Sequence, residues 1–167
     1  MLTAEQIIKL FGMKRLEKEG GYFVETYRSP ETIEAAALPV RYTSRRCFAT
    51  AILYLVTSES FSALHKVRSD EVFHFYLGDP VTMLMLHPDG RSETLRLGHD
   101  ILRRQNLQAT VPAGSWQGCC VAKGGRFALL GTTVAPGFDF ADFELGDRDN
   151  LLAAYPSAAE LITRLTR

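Results

Sequence analysis

The stretch Ser62-Ala63-Leu64-His65-Lys66-Val67-Arg68-Ser69-Asp70-Glu71-Val72-Phe73-His74-Phe75-Tyr76-Leu77-Gly78 decides the reading of this chain. It opens as a strand, breaks at a short polar turn and resumes as a strand rich in β-formers. His65 and Glu71 flank the turn, so they approach each other across two neighbouring strands. A neutral imidazole beside a carboxylate is half of a metal site. It is equally an acid–base pair in which the carboxylate orients the ring. Alternation counted from Glu71 puts Phe73 and Phe75 on its side of the strand and His74 on the other.

Outward from this stretch, short strands recur at close intervals. Tyr22–Tyr27, Phe48–Val56, Phe61–Val67, Glu71–Leu77, Val81–Leu86, Glu93–Leu97, Gln108–Val111, Trp116–Val121 and Phe127–Val134 all carry strand patterns. His87-Pro88-Asp89-Gly90 marks a hairpin turn between two of them. No ten-residue helical pattern separates the strands, so the spacing predicts an antiparallel sandwich or barrel and not a parallel α/β sheet. Helices are confined to the ends. Thr3 and Gln6 have capping-box spacing ahead of Ile7, Ile8, Leu10 and Phe11, with Gly12 as the stop. A second helix covers Arg148–Tyr155 and stops before Pro156. Ser157 and Glu160 repeat the capping-box spacing ahead of Leu161, Ile162 and Leu165. No linker, repeat or low-complexity segment divides residues 1–167, which read as a single domain.

Composition narrows the function. The chain has 167 residues, enough for a disulfide-free core, with 19 Lys plus Arg against 19 Asp plus Glu. That balance gives no footprint for nucleic acid or anionic lipid. The apolar runs are far shorter than the ~20 residues a membrane helix needs. The N-terminus lacks a signal-peptide pattern, so a cytoplasmic protein is expected. Three cysteines without C-x-x-C spacing fit reduced, buried thiols. Cys119 and Cys120, adjacent on a strand, should point to opposite faces.

These residues resemble a known family. The first motif of the cupin superfamily has the form H-x-H-x3,4-E-x6-G, and His65, Glu71 and Gly78 match it. The second, P-x-G-x2-H, is matched by Pro112-Ala113-Gly114-Ser115-Trp116-Gln117 up to its last position. Val67 replaces the second histidine of the first motif and Gln117 the histidine of the second. Glu59 and Asn106 stand where a glycine precedes each motif. Glu19-Gly20-Gly21-Tyr22-Phe23, Thr57–Ser62, Arg68–Glu71, Val111–Gln117 and Val134–Phe140 look like one subgroup, the small cupins of uncharacterised function (DUF985) described as predicted sugar epimerases. The resemblance covers roughly Glu19 to Tyr155.

The resemblance implies a jelly-roll β-barrel with short helices at both termini, a ligand site in the barrel mouth, and a homodimer. It implies a small, sugar-like ligand and no nucleic-acid or membrane partner. Three readings follow: epimerase or isomerase chemistry, a metal-dependent cupin enzyme with an irregular ligand set, and ligand binding or sensing without turnover. His65 is the expected base, with Glu71 beside it and Tyr76 or Tyr54 as acid. Gln117, Trp116, Lys66 and Arg68 are the expected ligand-binding residues, Lys66 or Arg68 steadying an enolate or a phosphate. Trp116 stacks on a ligand or belongs to the core. Either no cofactor or a divalent transition metal fits the family. If a metal is bound, His65, Glu71 and Gln117 are its ligands, an irregular set. Phe138, Phe140 and Phe143 are expected to cover the barrel.

Overall fold

The computed structural model describes residues 2–167. Its strands, in chain order, are β1 (Lys14–Arg15), β2 (Tyr22–Arg28), β3 (Thr32–Ile33), β4 (Arg46–Cys47), β5 (Thr50–Thr57), β6 (Phe61–Lys66) and β7 (Asp70–Gly78). Then follow β8 (Val81–Leu86), β9 (Ser92–Leu97), β10 (Gln108–Val111), β11 (Trp116–Val121), β12 (Phe127–Ala135) and β13 (Glu144–Leu145). One six-stranded sheet has the order β1-β2-β5-β12-β7-β10, and a five-stranded sheet has the order β13-β6-β11-β8-β9. Every pairing between these strands is antiparallel, as the short spacing of the strands requires.

The two sheets pack face to face. Tyr54, Val56, Phe73, Phe75, Ala128 and Leu130 of the first meet Val81, Met83, Met85, Cys119 and Val121 of the second. Period-2 alternation sends the other set of side chains outward, where helices cover part of it. Helix α1 (Ala4–Phe11) buries Ala4 and Ile7 against Leu55, Phe127 and Leu129 on the outside of the six-stranded sheet. Helices α2 (Arg148–Ala154) and α3 (Ala159–Arg164) bury Leu151 and Ile162 against Leu64, Leu84, Leu86 and Cys120 on the outside of the other. Cys119 and Cys120 therefore sit in different cores.

The Thr3–Gln6 capping box forms in both directions. The Ser157–Glu160 box does not. Pro156–Ala158 is a 3-10 turn, and α3 starts at Ala159 with no side-chain cap. Proline fixes the chain in that tight turn, and the Ser157 hydroxyl instead meets that of Ser92.

Two irregularities place the site. Gln117 of β11 pairs with His65 of β6, yet Cys119 pairs with Ser62. Two steps on β11 thus span three on β6, which is a β-bulge. The bulge turns both Ser62 and His65 inward although they are an odd number of residues apart. The second irregularity is the β1–β2 turn, Leu16–Gly21, which reaches across to β6 so that Ala63 N–H donates to the Glu19 carbonyl. Gly20 and Gly21 have φ of +103° and +71°. A Cβ on Gly20 would collide with the Phe61 carbonyl, and one on Gly21 with the Leu55 carbonyl and the Tyr54 ring. Only glycine allows this crossing, and it carries Glu19 between the sheets.

Candidate functional site

A cavity of about 230 Å³ opens between the sheets. Leu16, Phe23, Ile52, Val67 and Val134 line it, with Phe138, Phe140 and Phe143 crossing its mouth. Its floor is polar and comes from four places in the chain: Glu19, His65, Glu71 and Thr132.

The floor is tightly wired. His65 Nδ1 lies 2.7 Å from the Ala63 carbonyl inside the bulge. A carbonyl only accepts, so Nδ1 carries a hydrogen, and in the neutral ring Nε2 then has the lone pair. Around Nε2 stand Glu19 Oε2 at 3.8 Å and the Gln117 amide nitrogen at 3.4 Å. Glu19 Oε1 accepts from the Ser62 hydroxyl at 2.7 Å. Gln117 donates its amide to Glu71 Oε2 as well as facing His65. Burial pushes the Glu71 carboxyl above the ordinary carboxylate range. His65 opposes that shift, Glu19 adds to it, and hydrogen bonds from Thr132 and Gln117 oppose it. Phe143 stacks on the imidazole, ring centres 5.2 Å apart.

Of the residues singled out in the sequence, the structure brings His65, Glu71 and Gln117 together, with Gln117 behind the floor and outside the cavity lining. The others lie elsewhere. Tyr76 is 47% exposed on the outer face, beside His74 and over Gly131, because it is an odd number of residues from Glu71. Tyr54 is fully buried and donates to the Gly20 carbonyl at 2.9 Å. Burial, then Glu19, pushes its phenol well above the usual range. Neither tyrosine lines the cavity. Trp116 packs with the core beneath the C-terminal helices, with the Lys66 ammonium 4.3 Å above its ring. Lys66 and Arg68 line a separate surface groove, Lys66 paired with Glu144 and Arg68 facing Asp142.

The sequence reading missed Glu19 as a site residue. Its signal was present, since it opens the Glu19-Gly20-Gly21 run. The close approach that makes it matter depends on where the β1–β2 turn crosses.

The donor set does not fit a transition metal. Val67 occupies the place of a ligating histidine, and its alkyl chain lines the cavity. Gln117 turns its amide nitrogen toward Glu71 and His65, while its Oε1 is buried without a hydrogen-bond partner. Among the described residues no three His, Cys, Asp or Glu side chains are gathered to hold a metal ion. In this structure His65, Glu71 and Gln117 form a hydrogen-bonded cluster.

Two packed antiparallel sheets, with an imidazole and a carboxylate from successive strands on the floor of the cavity between them, define a cupin-type protein. The chain belongs to the cupin superfamily, in the group DUF985, whose family model matches residues 5–146. It is 32% identical over 157 residues to the uncharacterized protein YML079W of Saccharomyces cerevisiae, covering 86% of this chain and 77% of that one. The solved structure of protein SO0799 from Shewanella oneidensis superposes with a TM-score of 0.87 at 30% identity, covering 100% and 99% of the two chains. A hypothetical protein from Leishmania major superposes with a TM-score of 0.85 at 30% identity, covering 99% of each. Oxalate decarboxylase from Bacillus subtilis shares the fold at 15% identity, with a TM-score of 0.52 over 90% of this chain and 36% of that one. Among the described residues no helix is long and apolar enough to cross a membrane.

Proposed function

We propose that the chain works as one cupin domain whose cavity binds a small, sugar-like molecule and shifts a proton on it, the step shared by sugar epimerases and isomerases. The observation that supports this most is the His65 tautomer. Its Nδ1–H is spent on the Ala63 carbonyl, which leaves Nε2 at the cavity floor, where the neutral ring offers its lone pair. Nε2 takes a proton from a carbon next to a carbonyl, and the electron pair passes to the carbonyl oxygen as an enolate. Glu71 is the second proton-transfer group, returning a proton to carbon as the enolate collapses, because burial raises its affinity for a proton above that of an ordinary carboxyl. Glu19 steadies the imidazolium that forms. This assignment replaces the tyrosine acid.

The cavity is smaller than the roughly 300–1,000 Å³ typical of drug-sized ligands. It suits one monosaccharide-sized ring, with any larger substituent outside the phenylalanines at the mouth. Incubating the protein with a panel of free and phosphorylated sugars in D2O tests the reading. Mass spectrometry should find deuterium on carbon, and His65→Gln should slow that exchange by about 100-fold or more. A panel that binds without exchange would leave a ligand-binding cupin without turnover, a reading favoured by Val67 at a ligand position. The homodimer expected from the family belongs to the same proposal. Sedimentation at the mass of a single chain would remove it.

A further inference from the structure

The hydrogen-bond inventory of the cavity floor is one-sided. Every donor there is already spent. His65 Nδ1–H goes to Ala63, the Ser62 hydroxyl to Glu19, the Thr132 hydroxyl to Glu71, and the Gln117 amide to Glu71 and His65. What these bonds leave facing the cavity is carboxylate, Glu19 Oε2 at 3.8 Å from His65 Nε2 and the Glu71 carboxyl, and ionised carboxylate oxygens only accept. The charge is one-sided too. Among the described residues, neither Glu19 nor Glu71 forms an ion pair with a lysine or arginine. Arg28, at the cavity rim, is held by both oxygens of Glu25. Lys18, also at the rim, is exposed and makes no ion pair with either carboxylate. The walls above the floor are apolar, with Phe23, Phe138, Phe140 and Phe143 presenting ring surface.

We propose that the molecule this cavity takes is a compact organic cation, with an ammonium group seated between Glu19 and Glu71 and its body against the phenylalanine walls. The inference rests on this cavity being the ligand site and goes beyond that reading by fixing the ligand's charge. A neutral polyol would satisfy the acceptors but leave the two carboxylates without an ion-pair partner. An ammonium supplies donors and one positive charge, matching the acceptor oxygens of Glu19 and Glu71 and the missing cation. Aromatic faces favour a cation over a neutral group of the same shape. An anionic ligand would bring a third negative charge to the same floor.

Two probe series of matched shape test it on the intact protein: glucosamine, glucose and glucuronate, and cyclohexylamine, cyclohexanol and cyclohexanecarboxylate. Binding is read by calorimetry and by thermal stabilisation at millimolar concentration. In at least one series the amine should bind about tenfold or more tightly than its neutral partner, and the carboxylate least. Glu19→Gln and Glu71→Gln should each erase that preference, and either variant suffices if the other fails to fold. Equal binding of amine and alcohol overturns the cation while leaving the cavity a sugar site. Stabilisation by Mn2+ or Zn2+ but by neither amine overturns it in favour of a metal. Silence from all six probes overturns it as well, and the deuterium assay then stands alone as the test of proton transfer.

Discussion

Two charge clusters are buried in this molecule, and they are built on opposite terms. Arg46 and Asp142, 1% and 2% exposed, face each other through two hydrogen bonds of 2.7 and 2.6 Å. The rest of the guanidinium is satisfied by Ser44 and the Arg45 carbonyl. Around His65, Glu19 and Glu71 form no ion pair with a lysine or arginine among the described residues. The next residue after Asp142 is Phe143, which stacks on His65, so one segment joins the two clusters. The first is a clasp, complete in itself, that pins the mouth-crossing segment. The second is incomplete, and its incompleteness is what makes it a candidate site. Burial alone does not separate structure from function here; whether the charge is compensated does.

Removing one partner should therefore have opposite consequences in the two places. Asp142→Ala leaves a buried guanidinium without its counter-ion and should cost about 3–5 kcal/mol in urea unfolding. A cost near zero would erase the distinction. Glu71→Gln should do the reverse and stabilise the fold by about 1–2 kcal/mol above neutral pH. The sign follows from linkage. The folded carboxyl holds its proton more tightly than the unfolded one, so its contribution is fully present below the ordinary pKa of 4.5 and is lost as pH rises through the raised value. Wild-type stability should fall across that window, and the variant's should stay flatter. The smallest effect is expected where charge is solvated. Lys66, paired with Glu144 at 3.1 Å and resting over Trp116, should cost less than about 1 kcal/mol as Lys66→Met.

The architecture was legible because it rests on local signals. Strand alternation, the His87–Gly90 turn and the N-terminal capping box all formed where their residues stood. His65 and Glu71 were legible for the same reason, being close in sequence and separated by one turn. The tyrosines were not placed by any motif, and alternation counted from Glu71 already puts Tyr76 on the outer face with His74. Glu19 was hidden because its neighbours Ser62 and His65 lie more than forty residues along the chain, and a turn crossing between sheets leaves no periodic trace. The bulge in β6 was hidden too. Simple alternation cannot put Ser62 and His65 on one side.

The crossing at Gly20 and Gly21 turns this into a means of sorting other chains. Where two glycines are needed to let the backbone through, the residue just before them is delivered to the cavity floor whatever it is. A cupin of this group that reads Glu-Gly-Gly carries the second carboxylate; one that keeps the glycines but begins with Gln or Ala has the same shape and one negative charge fewer. The run of three letters is thus a readable gauge of floor charge, and any preference for a cation should fade along it before any change in fold can be detected.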